Sequence, residues 1–184
     1  MMQPDPNLGL CFFDNQLYYA VNSPEQPKKL ARIGSVAFNF DVTDAIITGD
    51  EQHFPGIRQT VTRLRDRFSI NHIRVLSFPT RECWTILPRL VYEDPDEREA
   101  HINILMNGVD RRHIHPTWYS LSNQDYKLLL LRNNAALQGL HKLTSSASTT
   151  DLVSEFELGD RWIDHVNPGG SFMTVCCFKD CISV

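Results

Sequence analysis

The clearest pattern of apolar and polar positions in the chain lies between residues 54 and 68. Apolar residues recur there at the spacing of one helix face: Ile57, Val61, Leu64 and Phe68. Pro55 suits the first helical turn, where its missing N–H costs nothing. This stretch therefore predicts an amphipathic helix, with its charged residues on the opposite, solvated side.

Two extended segments are predicted after this helix. The first is a short apolar run rich in β-branched residues, from Ile73 to Leu76, which closes at Phe78-Pro79. In the second, Trp84 and Ile86 alternate with less apolar residues, and we expect the alternation to continue to Tyr92.

The N-terminal region predicts a hairpin and a third strand. Residues 9–14 and 16–21 are strand-like runs on either side of Asp14-Asn15, a plausible two-residue turn. A further strand is expected over residues 30–40, with Gly34 as a possible bulge.

A capped helix is predicted after the acidic stretch near residue 94. Asp94 is the candidate N-cap, Pro95 follows it, and Glu97 completes a reciprocal capping pattern. Gly108 is the expected C-terminal cap. The buried stripe of this helix comprises three residues: Ile102, Leu105 and Met106.

The remaining segments suggest a division of the chain into domains. A strand pair is expected over residues 113–121 and 125–132, and a short helix over 133–143. Residues 144–150 are rich in Ser and Thr, which is typical of a linker. We therefore expect a first half over 1–143 and the start of a second sheet over 151–184, which would be truncated if the chain is a fragment.

Composition indicates a soluble globular protein of the reducing cytosol. The apolar fraction is 42% and the charged fraction 22%, and no apolar run approaches the length of about 18 residues needed to span a bilayer. The five cysteines are irregularly spaced, so buried thiols are favoured over a disulfide framework. A net charge of −4 argues against a general nucleic-acid binder.

The order of these elements resembles the actin-like ATPase superfold. It resembles in particular the cytoplasmic actin-like proteins of type IV pilus and type II secretion assembly, and related uncharacterised bacterial proteins. The sequence IRVLSFPTRECWTILPRL, residues 73–90, and the helix at 95–107 correspond to the inserted small subdomain of that group. The resemblance covers residues 50–150 and implies an α/β (mixed α+β) fold with an actin/ribonuclease H-like mixed sheet and an inserted α+β subdomain at about 54–132.

This chain differs from the nucleotide-binding members of the actin-like superfold in one motif. Those proteins hold phosphates with an Asp-x-Gly turn, because glycine lets the backbone approach the phosphate. Here the corresponding turns are Asp14-Asn15-Gln16 and Lys179-Asp180-Cys181, neither of which contains glycine. We therefore expect no nucleotide cofactor and a non-catalytic scaffold or assembly protein that acts through protein–protein contacts, with no partner or oligomeric state identified.

An arginine-rich surface is the candidate partner-binding site. The stretch 57–89 holds seven arginines against two acids. The candidate residues are Arg58, Arg63, Arg65, Arg67, Arg81 and Arg89.

Two alternative functions remain open. A metal-dependent hydrolase could use His113 and His115, which share one face if both lie on a strand, with His101 and Asp110 as further weak candidate ligands. An RNA-binding protein could combine the arginine-rich surface with an aromatic stacking platform. That platform would comprise Trp84, Trp118 and Tyr119 with Arg81 and Arg89.

Overall fold

The computed structural model describes most of the chain as far as residue 154. The described residues are 7–22, 29–78, 82–106, 109–121, 123–145, 147, 149–154, 157–158, 176–178 and 181–183. Contacts divide the chain into two compact units. The first unit is Met1–Thr80 together with Gln138–Val184, and the second is Arg81–Leu137.

The described residues form strands and short helices in alternation. The strands are β1 (Asn7–Phe13), β2 (Gln16–Asn22), β3 (Leu30–Ala37), β4 (His72–Leu76), β5 (Glu82–Pro88), β6 (Ile114–Ser120), β7 (Tyr126–Asn133), β8 (Thr149–Val153), β9 (Cys176–Phe178) and β10 (Cys181–Ser183). The α-helices are α1 (Val42–Thr48), α2 (Phe54–Phe68), α3 (Arg89–Glu93), α4 (Pro95–Leu105) and α5 (Asn134–Thr144), and Arg111–His113 form a 3-10 turn. No helix in the described residues is both long and apolar enough to cross a membrane.

The first unit is built on a five-stranded mixed sheet in the order β3-β2-β1-β4-β8. Strands β1, β2 and β3 pair antiparallel, whereas β1, β4 and β8 pair parallel. The predicted hairpin is confirmed, since Phe13 pairs with Gln16 across Asp14-Asn15. The mixed sheet also confirms the predicted α+β fold class.

One face of this sheet is buried and carries the core of the first unit. Alternate residues of β1 are buried: Leu8, Leu10 and Phe12. Helix α2 confirms the predicted amphipathic pattern, with Ile57, Val61 and Leu64 at most 6% exposed. Its last residue, Phe68, has its ring 6.1 Å from that of Tyr19 in β2. The helix therefore packs on the sheet face that Tyr19 occupies.

The expected bulge at Gly34 is wrong. Gly34 pairs regularly with Tyr19, and the register shift lies between Val21 and Asn22 at the start of the β2–β3 ladder. A Cβ on Gly34 would lie 2.5 Å from the ring carbon Cζ and the hydroxyl oxygen Oη of Tyr19. The glycine therefore makes room for an aromatic ring that reaches across from the neighbouring strand.

The second unit contains a three-stranded antiparallel sheet in the order β5-β7-β6. The predicted strand pair is confirmed as β6 and β7, and the predicted strand from Trp84 to Pro88 as β5. The continuation of that strand to Tyr92 is wrong, since Arg89–Glu93 is helical. Side chains of α3 and α4 cover the sheet, because Tyr92 and Leu105 pack against a core centred on Leu129 and Leu131.

Helix α4 begins where the capping pattern predicts. The Asp94 carboxylate accepts hydrogen bonds from the backbone N–H groups of Asp96 and Glu97, at 2.9 and 3.2 Å. Its buried stripe is narrower than predicted: Ile102 is buried, whereas Leu105 and Met106 are half-buried at the edge of the core. The helix ends at Leu105 with Met106 as the C-cap, and the expected cap Gly108 lies outside the described residues.

The predicted domain bounds remain a prediction. Both α2 and β4 lie in the first unit, and the second unit begins after β4 and ends within α5. Helix α5 confirms the predicted short helix and ends at Thr144, and β8 begins at Thr149. Of the expected second sheet after residue 151, the structure describes the antiparallel pair of β9 and β10.

Candidate interaction surfaces

The four arginines of α2 lie on two opposite sides of the helix rather than on one face. An α-helix advances about 100° per residue, so Arg58 and Arg65 are only about 20° apart around the axis. Arg63 and Arg67 are about 40° apart, and Arg67 is about half a turn from Arg58. The stripe of buried residues centred on Val61 lies between the two pairs of arginines, on the buried side of the helix. The helix therefore presents two separate basic edges.

Two of these arginines are engaged by neighbours within α2. Arg65 forms an ion pair with Asp66 at 2.7 Å, and its side chain is 22% exposed. The guanidinium of Arg67 lies 5.5 Å from the centre of the Phe68 ring. Arg58 lines a shallow groove of about 340 Å³ together with Phe54 and Pro55. The basic edge that contains Arg58 thus adjoins apolar surface.

The other candidate arginines do not extend these two edges. Arg89 belongs to the second unit, where its Nε donates to Glu93 Oε1 at 2.9 Å. That hydrogen bond, with the charge of Glu93, raises the pKa of Arg89. Arg81 lies outside the described residues. Partner binding by this set of arginines remains a prediction.

The histidine candidates do not lie together in one strand. His113 ends the 3-10 turn and His115 lies in β6, so the expectation that both occupy one strand is wrong. Asp110 is held by Arg112, whose Nη2 donates to its Oδ2 at 2.6 Å, and this bond lowers the pKa of Asp110. His101 lies in α4. Among the described residues, no three His, Cys, Asp or Glu side chains are grouped so that they could hold a metal ion.

The aromatic residues proposed for stacking lie on both faces of the second sheet. Trp84 and Tyr119 are opposite Leu130 and Leu128, which share one face of β7. Trp118 is opposite Leu129 on the other face, where it packs against the core of the second unit. The three rings therefore do not form a single stacking platform for RNA.

Two cysteines, Cys11 and Cys83, are partly buried. Cys11 lies in β1 and Cys83 in β5, and both thiols are free. Burial raises the pKa of each thiol, which disfavours the reactive thiolate.

The turn between β1 and β2 is bonded to the segment that follows β3. Asp14 takes a positive φ of 50°. Its carbonyl oxygen accepts a hydrogen bond from Val42 N at 2.7 Å, and the carbonyl oxygen of Asn15 accepts one from Phe38 N at 2.8 Å. Asn15 Nδ2 also donates to Phe38 O at 3.3 Å. The turn is therefore fixed against the start of α1, and no glycine opens it to a ligand.

Strand β3 forms an exposed edge that the sequence reasoning missed. Among the described strands it is the outermost of the mixed sheet, paired with β2 on one side. Two of its apolar side chains project into solvent: Leu30 is 60% exposed and Ile33 is 69% exposed. In β2, Tyr18 is 46% exposed. The apolar pattern predicted the strand but contained no signal of its place in the sheet.

Comparison with solved structures shows similarity at the level of the fold. The chain is similar to a Bacteroides thetaiotaomicron protein with actin-like ATPase fold and unknown function, at 9% identity and a TM-score of 0.48, over 91% of this chain and 59% of that one. It is also similar to the cytoplasmic domain of EpsL, an inner membrane component of the type II secretion system of Vibrio cholerae. That match has 11% identity and a TM-score of 0.49, over 80% of this chain and 56% of that one.

A third match is to the PilM-PilN type IV pilus biogenesis complex. It has 9% identity and a TM-score of 0.50, over 80% of this chain and 46% of that one. This match confirms, for the fold alone, the predicted resemblance to actin-like proteins of pilus and secretion assembly. The chain spans about half the length of the solved structures it matches. No protein-family model matches the sequence, and no curated protein does.

Proposed function

We propose that this protein is a non-catalytic actin-like scaffold or assembly protein that acts in the cytoplasm through protein–protein contacts. The geometry of the turn between β1 and β2 is the observation that carries the proposal. Nucleotide-binding proteins of the resembled fold place a glycine there so that the backbone can approach a phosphate. Asp14-Asn15-Gln16 has no glycine, and its carbonyl groups are bonded to Phe38 and Val42.

Two surfaces of the first unit support the proposal that the protein acts through protein–protein contacts. The basic edges of α2 and the exposed edge of β3 offer charge and apolar area to a partner, and among the described strands only β2 pairs with β3. Two of the matched structures are described as a component of a secretion system and as a pilus biogenesis complex. These assemblies suggest the kind of role that the chain would have.

Titration calorimetry with ATP and magnesium tests whether the chain binds a nucleotide. We expect no measurable heat of binding to this chain under conditions in which an actin-like ATPase, run in parallel, binds ATP. A Gln16→Gly variant supplies a matched comparison, because it restores the Asp-x-Gly pattern at the same turn. Tight, magnesium-dependent binding of ATP to the unaltered chain would overturn the scaffold proposal.

The two basic edges of α2 can be compared by charge reversal. A partner would first be isolated with the tagged chain, identified, and reconstituted from purified components. The double variant Arg58→Glu/Arg65→Glu and the double variant Arg63→Glu/Arg67→Glu change the net charge equally, but on opposite sides of α2. We expect one of them to weaken the reconstituted complex by tenfold or more. Equal affinity of both variants and the unaltered chain would remove α2 as the docking surface.

A further inference from the structure

The open edge of β3 has the features of a site for strand addition. An edge strand presents a row of unpaired N–H and C=O groups, and proteins usually protect such edges with proline, bulges or charged side chains. No proline interrupts Leu30–Ala37, and the irregularity is confined to the start of the strand, between Val21 and Asn22 of the paired β2. From Arg32 to Ala37 the ladder is regular. This run can therefore template a further strand.

The two sides of β3 differ in chemistry. Successive side chains of a strand point to opposite faces, so Ile33, Ser35 and Ala37 share one face and Arg32 lies on the other. Ile33 is 69% exposed and supplies apolar contact area. Arg32 is the only charged residue of the strand, and no ion pair joins it to another residue in the described part of the chain. A strand laid beside β3 would meet an apolar side chain on one face and a cation on the other.

The charges near the β3 edge indicate what kind of segment would bind beside this strand. Lys29 precedes the strand, and β2, to which β3 pairs, has no charged residue. Exposed positive charge attracts a negatively charged partner and repels a second copy of the same basic edge. The edge therefore favours a partner segment that is acidic on one face and apolar on the other.

We propose that the β3 edge binds an extended segment of a partner protein, with alternating acidic and apolar residues, as an additional strand of the mixed sheet. The inference rests on the proposed scaffold function and specifies a docking surface for it. Main-chain hydrogen bonds would supply affinity, while the Arg32 and Ile33 faces would supply specificity. The residues of this surface, Arg32 and Ile33, differ from the arginines of α2, so each set can be altered without the other.

A synthetic peptide of alternating glutamate and valine is the probe, with binding measured by fluorescence anisotropy on the whole chain. We expect Arg32→Glu to weaken binding by about fivefold or more, since a favourable cross-strand charge pair becomes a repulsive one. Lys142→Glu, which makes the same charge change on the exposed surface of α5, should leave the affinity unchanged. Circular dichroism would verify that both variants are folded.

N-methylation of the peptide tests the backbone geometry without altering the protein. In a strand, alternate N–H groups point to opposite sides, so one set would face β3 and the other set would face solvent. Of two peptides methylated on alternate amides, we expect one to lose binding and the other to retain it. Equal binding of both methylated peptides, or the absence of binding by the unmodified peptide, would overturn the proposal.

The alternative is that a second copy of this chain pairs with the β3 edge. Sedimentation velocity on the unaltered chain without peptide should show no dimer that depends on β3. A dimer that Ile33→Lys abolishes would assign the edge to a second copy and would also overturn the proposal. ATP binding in the calorimetric experiment would contradict the scaffold function but leave the peptide result unchanged, so the two failures are distinguishable.

Discussion

Gly139 in α5 lies directly against the carbonyl oxygen of Ile46 in α1, and a Cβ at position 139 would overlap that oxygen. Both residues belong to the first unit. The neighbouring atom is part of the backbone, so it cannot move aside as the end of a flexible side chain could. The two helices approach so closely because position 139 has no side chain.

We therefore expect Gly139→Ala to destabilise the protein. In an isolated helix this change stabilises by about 1 kcal/mol, but overpacking against fixed backbone costs about 1–3 kcal/mol. Gly56→Ala in α2 is the matched control, because a Cβ there meets nothing within 4 Å. Urea unfolding should show a lower midpoint for Gly139→Ala and an unchanged or higher midpoint for Gly56→Ala. A stabilised Gly139→Ala variant would contradict the close approach.

The ion pair between Glu82 and Arg132 joins β5 to β7 inside the second unit. Arg132 Nε donates to Glu82 Oε1 at 2.8 Å, and the side chains are only 9% and 6% exposed for Arg132 and Glu82. Removing one partner would leave a buried charge, at a cost of about 3–5 kcal/mol. We expect Glu82→Leu and Arg132→Met each to lower stability by this amount.

The double variant Glu82→Leu/Arg132→Met provides the decisive comparison. It removes both charges, so we expect it to be more stable than the sum of the two single effects predicts, by 1 kcal/mol or more. Chemical denaturation of the four proteins measures the coupling energy. Strictly additive effects would show that the two charges do not depend on each other.

The Asp94 cap should determine the stability of α4. Asp94→Ala removes the acceptor for two backbone N–H groups, and we expect a loss of about 0.5–2 kcal/mol in the free energy of unfolding. Asp94→Asn keeps an oxygen in the same place and should retain most of that stability. Helix content by circular dichroism and the denaturation midpoint would measure both variants. Equal losses in the two variants would show that charge, rather than the hydrogen bonds, stabilises the helix start.

Asp50 should contribute an acid-sensitive part of the stability of the first unit. His53 Nδ1 donates to Asp50 Oδ2 at 2.7 Å, and this bond, with a second from Gln52 N, lowers the pKa of Asp50 below its ordinary value of 3.8. A carboxyl with a lowered folded-state pKa stabilises the protein above its unfolded pKa. That contribution is lost as the pH falls below 3.8 and through the folded-state pKa.

The thermal midpoint as a function of pH tests this contribution. The unaltered protein should lose more stability than Asp50→Asn as the pH falls below about 4, because the variant has no proton to bind at this position. Near neutral pH the variant should be the less stable of the two. Parallel pH profiles for the two proteins would contradict the assignment.

Much of the fold was predictable because it depends on interactions between residues close together in the chain. The spacing of Ile57, Val61 and Leu64 identified α2, and Asp94 with Pro95 identified the start of α4. Both signals depend on atoms within about one helical turn, so they survive in the sequence alone. The missing glycine after Asp14 was likewise visible without coordinates.

The candidate sites depended on the backbone conformation at each residue and were therefore harder to predict. The arginines of α2 read as one basic stretch, but the helical twist separates Arg58 from Arg67 by about half a turn. His113 and His115 are two residues apart, yet His113 ends a 3-10 turn and only His115 lies in the strand. In both cases local backbone geometry overrode proximity in sequence.

The sequence by itself determined the period, the caps and the turns of this protein, because each depends on interactions between residues close together in the chain. Only the tertiary structure decided that β3 is the outer strand of the sheet and that Gly139 meets Ile46. Strand order and helix approach are set by contacts between residues far apart in sequence, whose energies no local pattern records. The exposed edge at Ile33, and with it the proposed docking site, follows from that long-range choice.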